Sequence, residues 1–180
     1  EYAGKYRFRV NAYHARGGVA ASLHLIPNEI RTVEELNLPS VVKIFGRLSQ
    51  GFVLVVGPNG HGKSTTLASL VDLINKERAE KIVTIEDPIE YIFTPNKSII
   101  DQREIYQDTF SFHKAIRSTF RQNVNVILVG EMRDYETMSA AVTAAETGHL
   151  VLASLHTNSA SQTIERIIDS FPPNQQAQVR

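Results

Sequence analysis

The sequence predicts an α/β domain of three layers, in which helices cover both faces of a parallel β-sheet. Four short runs rich in valine, isoleucine and leucine are typical of buried parallel strands: 52–56, 81–86, 124–129 and 149–155. Segments with helical spacing alternate with them: 63–76, 112–121, 134–147 and 159–170. Ser111 is placed to cap one of these helices, and Gly148 suits the position just after another. The alternation of strands and helices implies the layered architecture.

The start of the chain has a different pattern. Apolar and polar residues alternate over 6–13, turn-forming residues follow at 14–18, and a second extended run covers 19–26. Residues 5–26 therefore predict an antiparallel hairpin, which is too small to form a domain alone. A capping box at 32–35 predicts a short helix that ends near Asn37, and a further helix is predicted from Pro39 to about Leu48.

Composition narrows the function classes. The 180 residues are 42% apolar, and 19 basic residues balance 19 acidic ones. A net charge of zero gives no positive field for nucleic acid, so no nucleic-acid partner is expected. The chain has no cysteine, which excludes disulfides and thiolate metal sites within these residues. No apolar run approaches the length of a membrane helix, and residues 1–5 lack the apolar core of a signal peptide. We therefore expect a soluble, cytoplasmic protein with no direct membrane insertion.

A phosphate-binding motif follows the first apolar strand. Residues 57–64 read Gly-Pro-Asn-Gly-His-Gly-Lys-Ser and fit the P-loop pattern G-x-x-x-x-G-K-[ST] between a strand and a helix. Glycines let successive backbone amides turn inward around phosphate oxygens, and the helix adds the positive end of its dipole. The predicted nucleotide-binding residues are Asn59, Gly60, His61, Gly62, Lys63, Ser64 and Thr65. The alternative is a glycine-rich turn that binds nothing.

Each predicted contact has its own chemistry. Lys63 is expected to bridge the β- and γ-phosphates, the Ser64 hydroxyl to coordinate Mg²⁺, and Thr65 to donate to the α-phosphate. The motif therefore predicts ATP with Mg²⁺ as the cofactors of this site.

Glu131 is the first acidic candidate. It ends the apolar run 126–129 in the form of a Walker B element, with Gly130 at the position where many P-loop enzymes have aspartate. We therefore expect Glu131 to serve alone, both in catalysis and as a metal contact. The alternative is that Glu131 begins an exposed turn.

A second acidic segment follows the strand 81–86. Glu86, Asp87 and Glu90 lie within five positions at the end of a strand, where ligands bind in open α/β sheets. Glu90 is the candidate catalytic base. The alternative is an ordinary acidic loop in which Pro88 stops the strand.

Histidines and arginines complete the candidate set. His149 and His156 bracket the last strand, and His156 is placed to contact a γ-phosphate and to sense its loss. His149 is open to a second interpretation as a satisfied buried histidine. Arg9 and Arg16 are candidate arginine fingers, against the alternative that they only solvate a surface.

These segments together resemble the secretion-ATPase superfamily, specifically the type IV pilus retraction ATPases of the PilT type. The resemblance rests on four ordered motifs: the P-loop at 57–64, an aspartate box at 84–90, the Walker B segment at 127–134 and a histidine box at 148–157. It extends to residues 7–12 and 167–172, and so covers nearly the whole chain.

The resemblance implies a domain plan. Residues 1–28 correspond to the end of a PAS-like N-terminal domain, 29–38 to a linker, and 39–180 to a RecA-like ATPase domain without its final helices. It assigns nucleotide binding to Gly60, Gly62, Lys63, Ser64 and Thr65. It assigns catalysis to Glu90 and Glu131 and phosphate sensing to His156, with Arg9 and Arg16 completing the site as the domains close.

The resemblance also implies a setting. The family forms homohexameric rings that act on an inner-membrane pilus platform protein, at the cytoplasmic face of the inner membrane, and closure on ATP converts hydrolysis into mechanical work. Residues 102–104, 130–134 and 168–172 resemble the retraction branch, whereas 152–159 resembles the assembly branch. A pilus-assembly or type II secretion ATPase and a weakly hydrolysing regulatory paralogue remain the alternatives. Residues 121–125 depart from the family, which usually has a proline and an aspartate there.

Overall fold

The computed structural model describes residues 7–27 and 29–179 and contains seven strands and six helices in that part of the chain. The strands are β1 Arg7–Ala15, β2 Gly18–Ile26, β3 Gly51–Val56, β4 Lys81–Glu86, β5 Ile99–Glu104, β6 Val126–Val129 and β7 Leu150–Leu155. The helices are α1 Val42–Arg47, α2 Lys63–Glu77, α3 Phe112–Thr119, α4 Tyr135–Glu146, α5 Ala160–Ser170 and α6 Gln176–Val179. Residues 1–6, 28 and 180, on which parts of the predicted hairpin and domain division fall, lie outside the described residues.

The main sheet is parallel throughout, in the order β3-β7-β6-β4-β5. Its two faces carry separate apolar clusters. One cluster joins strand residues to Leu70 and Ile74 of α2, and the other joins them to α3, α4 and α5 through residues such as Ile116 and Ala141. The three layers predicted from the sequence are confirmed. They bury β6 and β7 completely, because both faces of each strand are covered by helices.

β5 is the strand that the sequence pattern did not reveal. Its residues read Ile-Ile-Asp-Gln-Arg-Glu and lie at the edge of the sheet, paired only with β4 among the described strands. An edge strand needs less apolar surface than a central one, so hydrophobic runs predicted four parallel strands where the structure has five. The short helix α6 was also not predicted.

The segment after the hairpin forms a turn where a short helix was predicted. The capping-box contacts are present, because the Thr32 amide donates to Glu35 Oε2 at 2.8 Å and the Glu35 amide donates to Thr32 Oγ1 at 3.2 Å. The chain nevertheless leaves the helical conformation at Asn37, which has a φ of 53°. The predicted helix is therefore a single hydrogen-bonded turn.

The antiparallel hairpin of β1 and β2 is confirmed over its described residues, with Arg7 opposite Ile26 and Ala15 opposite Gly18. The two turn residues, Arg16 and Gly17, have φ values of 51° and 79°. Two residues of positive φ are typical of a type I′ turn, which matches the twist of the strands. This turn places Arg16 at the outer tip of the hairpin.

No helix among residues 7–27 and 29–179 is long and apolar enough to cross a bilayer. The finding concerns only the part of the chain that the structure describes.

Ile74 tests the packing of α2 against the sheet. The Ile74 side chain is completely buried, whereas Ile164 on α5 is 61% exposed. We expect Ile74→Ala to lower the free energy of unfolding by about 2–5 kcal/mol, because it leaves a cavity under the helix. Ile164→Ala, the matched control, should change it by less than about 0.5 kcal/mol. Equal effects of the two substitutions in urea denaturation would contradict the assignment of this core.

Candidate functional site

The carboxyl ends of β3, β4, β6 and β7 meet at one edge of the sheet, beside the base of the hairpin. They enclose a cavity of about 760 Å³, which we call the P-loop cleft. The residues singled out from the sequence that line it are Arg9, Asn59, Gly60, Gly62, Lys63, Ser64, Thr65, Glu90, Glu131 and His156. Residues far apart in the sequence therefore share one cavity, as the position of strand ends in a parallel sheet predicts.

The loop between β3 and α2 has the backbone that its glycines allow. Gly57, Gly60 and Gly62 have φ values of 155°, 76° and 78°. A Cβ at Gly60 or Gly62 would meet no heavy atom within 4 Å, so the left-handed backbone is what favours glycine at these two positions. Gly62 caps α2, and the positive end of the helix dipole therefore faces the loop.

Lys63 folds back into its own loop. Its Nζ donates to the carbonyl oxygens of Gly57 at 2.9 Å and Pro58 at 3.0 Å, and it lies 3.3 Å from His156 Nδ1. An ammonium group has three N–H donors, and these contacts provide three acceptors. The lysine is only 9% exposed, so its charge is held inside the cleft.

His156 connects Lys63 to Glu131. Its Nε2 lies 2.9 Å from Glu131 Oε1, while its Nδ1 faces the lysine ammonium. The ammonium can only donate and an ionised carboxylate can only accept. The hydrogen-bond pattern is therefore satisfied by a neutral imidazole that carries its proton on Nε2 and accepts at Nδ1.

Glu131 is held by two partners. His156 contacts Oε1, and the Arg133 guanidinium contacts Oε2 at 2.7 Å. Partial burial raises the pKa of Glu131, but the hydrogen bond and charge of Arg133 outweigh it, and the charge of Lys63 adds to the lowering. The net pKa is lowered, so Glu131 is ionised at neutral pH.

Gly130, the residue before Glu131, lies against the backbone of β4. A Cβ at this position would lie 3.2 Å from the Ile85 carbonyl oxygen and 3.3 Å from Glu86 Cα, which are backbone atoms of β4. The Gly130 amide also donates to that carbonyl at 2.8 Å. The close approach of β4 makes this position tight, because a larger residue would require the β4 backbone to shift by a few tenths of an ångström.

Glu86 is a site residue to which the sequence analysis gave no separate role. It is 9% exposed, lines the P-loop cleft, and accepts a hydrogen bond from Thr84 Oγ1 at 2.6 Å. Burial raises the pKa of Glu86, although hydrogen bonds from Thr84 and Gln102 partly oppose the shift. Its position as the last residue of a buried strand is the signal in the sequence that could have separated it from exposed Asp87.

Glu90 lies in the cleft next to the hairpin residue Arg9. Arg9 Nη1 reaches its Oε1 at 3.2 Å, so β1 supplies a cation to this carboxylate. The loop that carries Glu90 is held by β5, because Glu104 accepts from the Ile89 amide at 3.0 Å and Gln102 Nε2 donates to the Tyr91 carbonyl at 2.7 Å. The edge strand missed from the sequence therefore positions the acidic loop.

The remaining P-loop candidates have individual placements. Ser64 is exposed in the cleft, and the Thr65 hydroxyl lies 2.9 Å from the Tyr91 hydroxyl. His61 is exposed and its Nδ1 is 3.0 Å from the Asn59 carbonyl oxygen. His61 is not among the described residues that line the cleft.

Two other candidates lie away from the cleft. Arg16 is at the hairpin tip and is not among the described lining residues, so its role as an arginine finger stays a prediction. His149 lies at the other end of β7, where its Nδ1 is 2.9 Å from the Ala144 carbonyl and its ring is 5.6 Å from that of Phe120. His149 therefore fits the interpretation as a satisfied histidine. Within residues 7–27 and 29–179, no group of three or more acidic or histidine side chains could hold a metal ion by itself.

Comparison with known proteins gives a consistent result. A family model described as "Type II/IV secretion system protein" matches residues 7–171. The chain is 48% identical, over all 180 residues, to the type IV pilus retractation ATPase PilT of Pseudomonas aeruginosa, of which it covers 52%. It is 49% identical over 174 residues, 97% of its length, to a twitching motility protein of Neisseria gonorrhoeae, of which it covers 46%.

Solved structures agree. A crystal structure of the pilus retraction motor PilT with bound ADP matches with a TM-score of 0.91 and 53% identity, over 96% of this chain and 50% of that one. The Legionella pneumophila ATPase DotB matches with a TM-score of 0.87 and 33% identity, over 96% and 49%. The predicted fold class is confirmed: a RecA-like α/β core with a parallel sheet, preceded in the chain by a hairpin. The chain spans roughly half the length of these relatives.

The burial of Glu86 predicts that the free energy of unfolding depends on pH. A carboxyl group whose pKa is raised on folding binds more protons in the folded state, so stability falls as pH rises from the unfolded to the folded pKa. Glu86→Gln removes this effect. We expect the stability of the variant relative to wild type to be higher at pH 7 than at pH 4, by up to about 1.4 kcal/mol for each unit between the two pKa values. Urea denaturation measures the difference in free energy of unfolding between Glu86→Gln and wild type. A difference that stays constant between pH 4 and pH 7 would contradict a raised pKa of Glu86.

Proposed function

The chain belongs to the family of type II/IV secretion system proteins, and on that premise we propose that it binds magnesium ATP in the P-loop cleft and hydrolyses it to drive pilus retraction. The observation that carries the proposal is the arrangement around Lys63. Its ammonium lies inside the P-loop and is connected through His156 to the carboxylate of Glu131. Lys63, the expected phosphate-binding residue, and Glu131, the expected catalytic carboxylate, are therefore joined by hydrogen bonds through His156.

Phosphate binding uses groups that are already assembled. The acceptors that Lys63 now uses are two loop carbonyls and one ring nitrogen. Oxygens of a triphosphate would be stronger acceptors for an ammonium group, because charge-assisted hydrogen bonds are about twice as strong as neutral ones. We therefore expect Lys63 to exchange these partners for the β- and γ-phosphates. The amides of residues 59–62 and the start of α2 would hold the remaining phosphate oxygens.

The residues present fit Mg²⁺. Ser64 offers an exposed hydroxyl in the cleft, and the lowered pKa of Glu131 keeps its carboxylate ionised. Oxygen donors of this type, together with substrate phosphates, are the usual ligands of Mg²⁺ in nucleotide sites. Bound Mg²⁺ would supply neutralisation of the developing phosphate charge.

Hydrolysis requires a water molecule to be oriented and deprotonated. Its oxygen forms a bond to the terminal phosphorus while the bond from that phosphorus to the β,γ-bridging oxygen breaks, and ADP and phosphate result. We assign the proton to Glu90, whose carboxylate lies in the cleft beside Arg9. Glu131 would orient the water and, with Ser64, would hold Mg²⁺.

Sensing and charge neutralisation come from His156 and the arginines. Loss of the terminal phosphate would return Lys63 to His156 Nδ1, so His156 can report the state of the site. Arg9 already lies 3.2 Å from Glu90 and could move from this carboxylate to a γ-phosphate. Arg16, at the hairpin tip, could act only if the hairpin moved or if it entered the site of another copy.

The wider setting is also proposed from the relatives. We propose a homohexameric ring at the cytoplasmic face of the inner membrane, acting on a pilus platform protein, with residues 1–28 in a PAS-like domain, 29–38 as a linker and 39–180 in the ATPase domain. A pilus retractation ATPase and a twitching motility protein are among the relatives at nearly half identity, which supports the retraction assignment. Movement of the hairpin against the core during closure would transmit the work.

Lys63 and Glu131 give the direct test in the full-length protein. We expect Lys63→Ala to weaken binding of magnesium ATP and to reduce turnover by at least about 100-fold, because it removes the phosphate cation. Glu131→Gln and Glu90→Gln should keep the affinity for ATP within about threefold of wild type. Both should reduce turnover by at least about 100-fold, as Lys63→Ala does. Binding is measured by calorimetry and turnover by phosphate release.

Lys114→Ala is the matched control, since this exposed lysine lies over the Phe110 ring outside the cleft. It should behave as wild type. Wild-type protein that binds ATP without turning it over would favour the regulatory paralogue. Turnover that persists in Lys63→Ala would refute the proposal that ATP is hydrolysed in the P-loop cleft.

A further inference from the structure

A second cavity lies beside the P-loop cleft. It has a volume of about 590 Å³ and is lined by residues of α4, α5 and the segments before them. Of the described residues, only Arg133 and His156 line both cavities. These are also the two residues that hold the carboxylate of Glu131. The wall between the cavities is therefore built from the partners of one carboxylate.

Arg133 and His156 contact different oxygens of the Glu131 carboxylate. Arg133 contacts Oε2 and His156 contacts Oε1, so both oxygens have a donor. A carboxylate held at both oxygens cannot rotate about its last side-chain bond without losing a charge-assisted hydrogen bond. The pair therefore fixes the plane of the Glu131 carboxylate, and Arg133 supplies the positive charge.

The backbone around Arg133 is fixed on both sides. Met132 is 2% exposed, and its amide donates to the Ser154 carbonyl at 3.1 Å. Asp134 caps α4 by accepting from the Thr137 amide at 2.8 Å. Arg133 lies between these two anchors, two residues after Glu131, and its guanidinium reaches back to that carboxylate.

We propose that Arg133 is a positioning residue that keeps the Glu131 carboxylate oriented for the hydrolysis proposed above, on which this inference rests. Arg133 reaches Lys63 only through Glu131 and His156, so it acts on the reaction through the carboxylate. Without Arg133, Oε2 of Glu131 loses its contact, and His156 alone holds the carboxylate through Oε1. A carboxylate held at one oxygen can rotate about its last side-chain bond, so Glu131 would leave its working orientation.

The test compares Arg133→Ala, Arg133→Gln and Arg133→Lys in the full-length protein. Arg166→Ala is the matched control, because Arg166 lies on α5 and lines only the second cavity. Calorimetry gives the Kd for magnesium ATP, and phosphate release gives kcat and KM. We expect Arg133→Ala and Arg133→Gln to lower kcat about 10- to 100-fold, as a misplaced catalytic group does, with Kd within about twofold of wild type.

Arg133→Lys should recover part of the lost kcat, because lysine keeps the charge but not the planar fork. Arg166→Ala should match wild type. The Arg133 side chain is 64% exposed and Arg166 is exposed as well, so melting temperatures close to wild type are expected for all four variants.

Two results would overturn the assignment. One is a wild-type kcat in both Arg133→Ala and Arg133→Gln. The other is a loss of ATP affinity as large as the loss of kcat, because it would mean that Arg133 binds nucleotide directly. A wild-type protein without turnover is a different outcome: it refutes the proposed function before any variant is made.

Discussion

The pairing of β7 with both β3 and β6 is the constraint on which the site depends. Val56 is in register with Leu155, and the Gly57 amide donates to the Leu155 carbonyl at 3.3 Å, so the P-loop begins beside His156. On the other side, Ser154 Oγ donates to the Gly130 carbonyl at 2.6 Å. One buried strand thus fixes the distance between the phosphate-binding loop and Glu131, and the contact from Lys63 through His156 follows from that register.

Charged side chains around the cleft contact groups of opposite charge or hydrogen-bond partners. Lys63 and Arg133 lie on either side of the unit formed by His156 and Glu131, and Arg9 faces Glu90. Because each of these groups has a counterpart, a polyphosphate entering the cleft would replace internal partners rather than meet bare charges. The buried carboxyl of Glu86 differs, since its pKa is raised by burial.

The sequence predicted those parts of the fold that have a strong local pattern. The buried strands, the amphipathic helices and the hairpin turn were all visible, and so was the P-loop, because its glycines, lysine and serine are adjacent. β5 was not visible, since Asp101, Gln102 and Glu104 give an edge strand no apolar run. The partners of the acidic residues were hidden as well. Arg133 and Glu131 are close in sequence, but only the fold shows that His156 takes the second oxygen and that Arg9 reaches Glu90.

The proposed nucleotide binding requires Lys63 to exchange its internal partners for phosphate oxygens. A structure of the full-length protein with magnesium and a non-hydrolysable ATP analogue measures this directly. We expect Lys63 Nζ to leave the Gly57 and Pro58 carbonyls and to lie within about 3 Å of β- and γ-phosphate oxygens, as an N–H···O hydrogen bond requires. A bound analogue whose phosphates lie elsewhere, with Lys63 still on the two carbonyls and on His156, would contradict it.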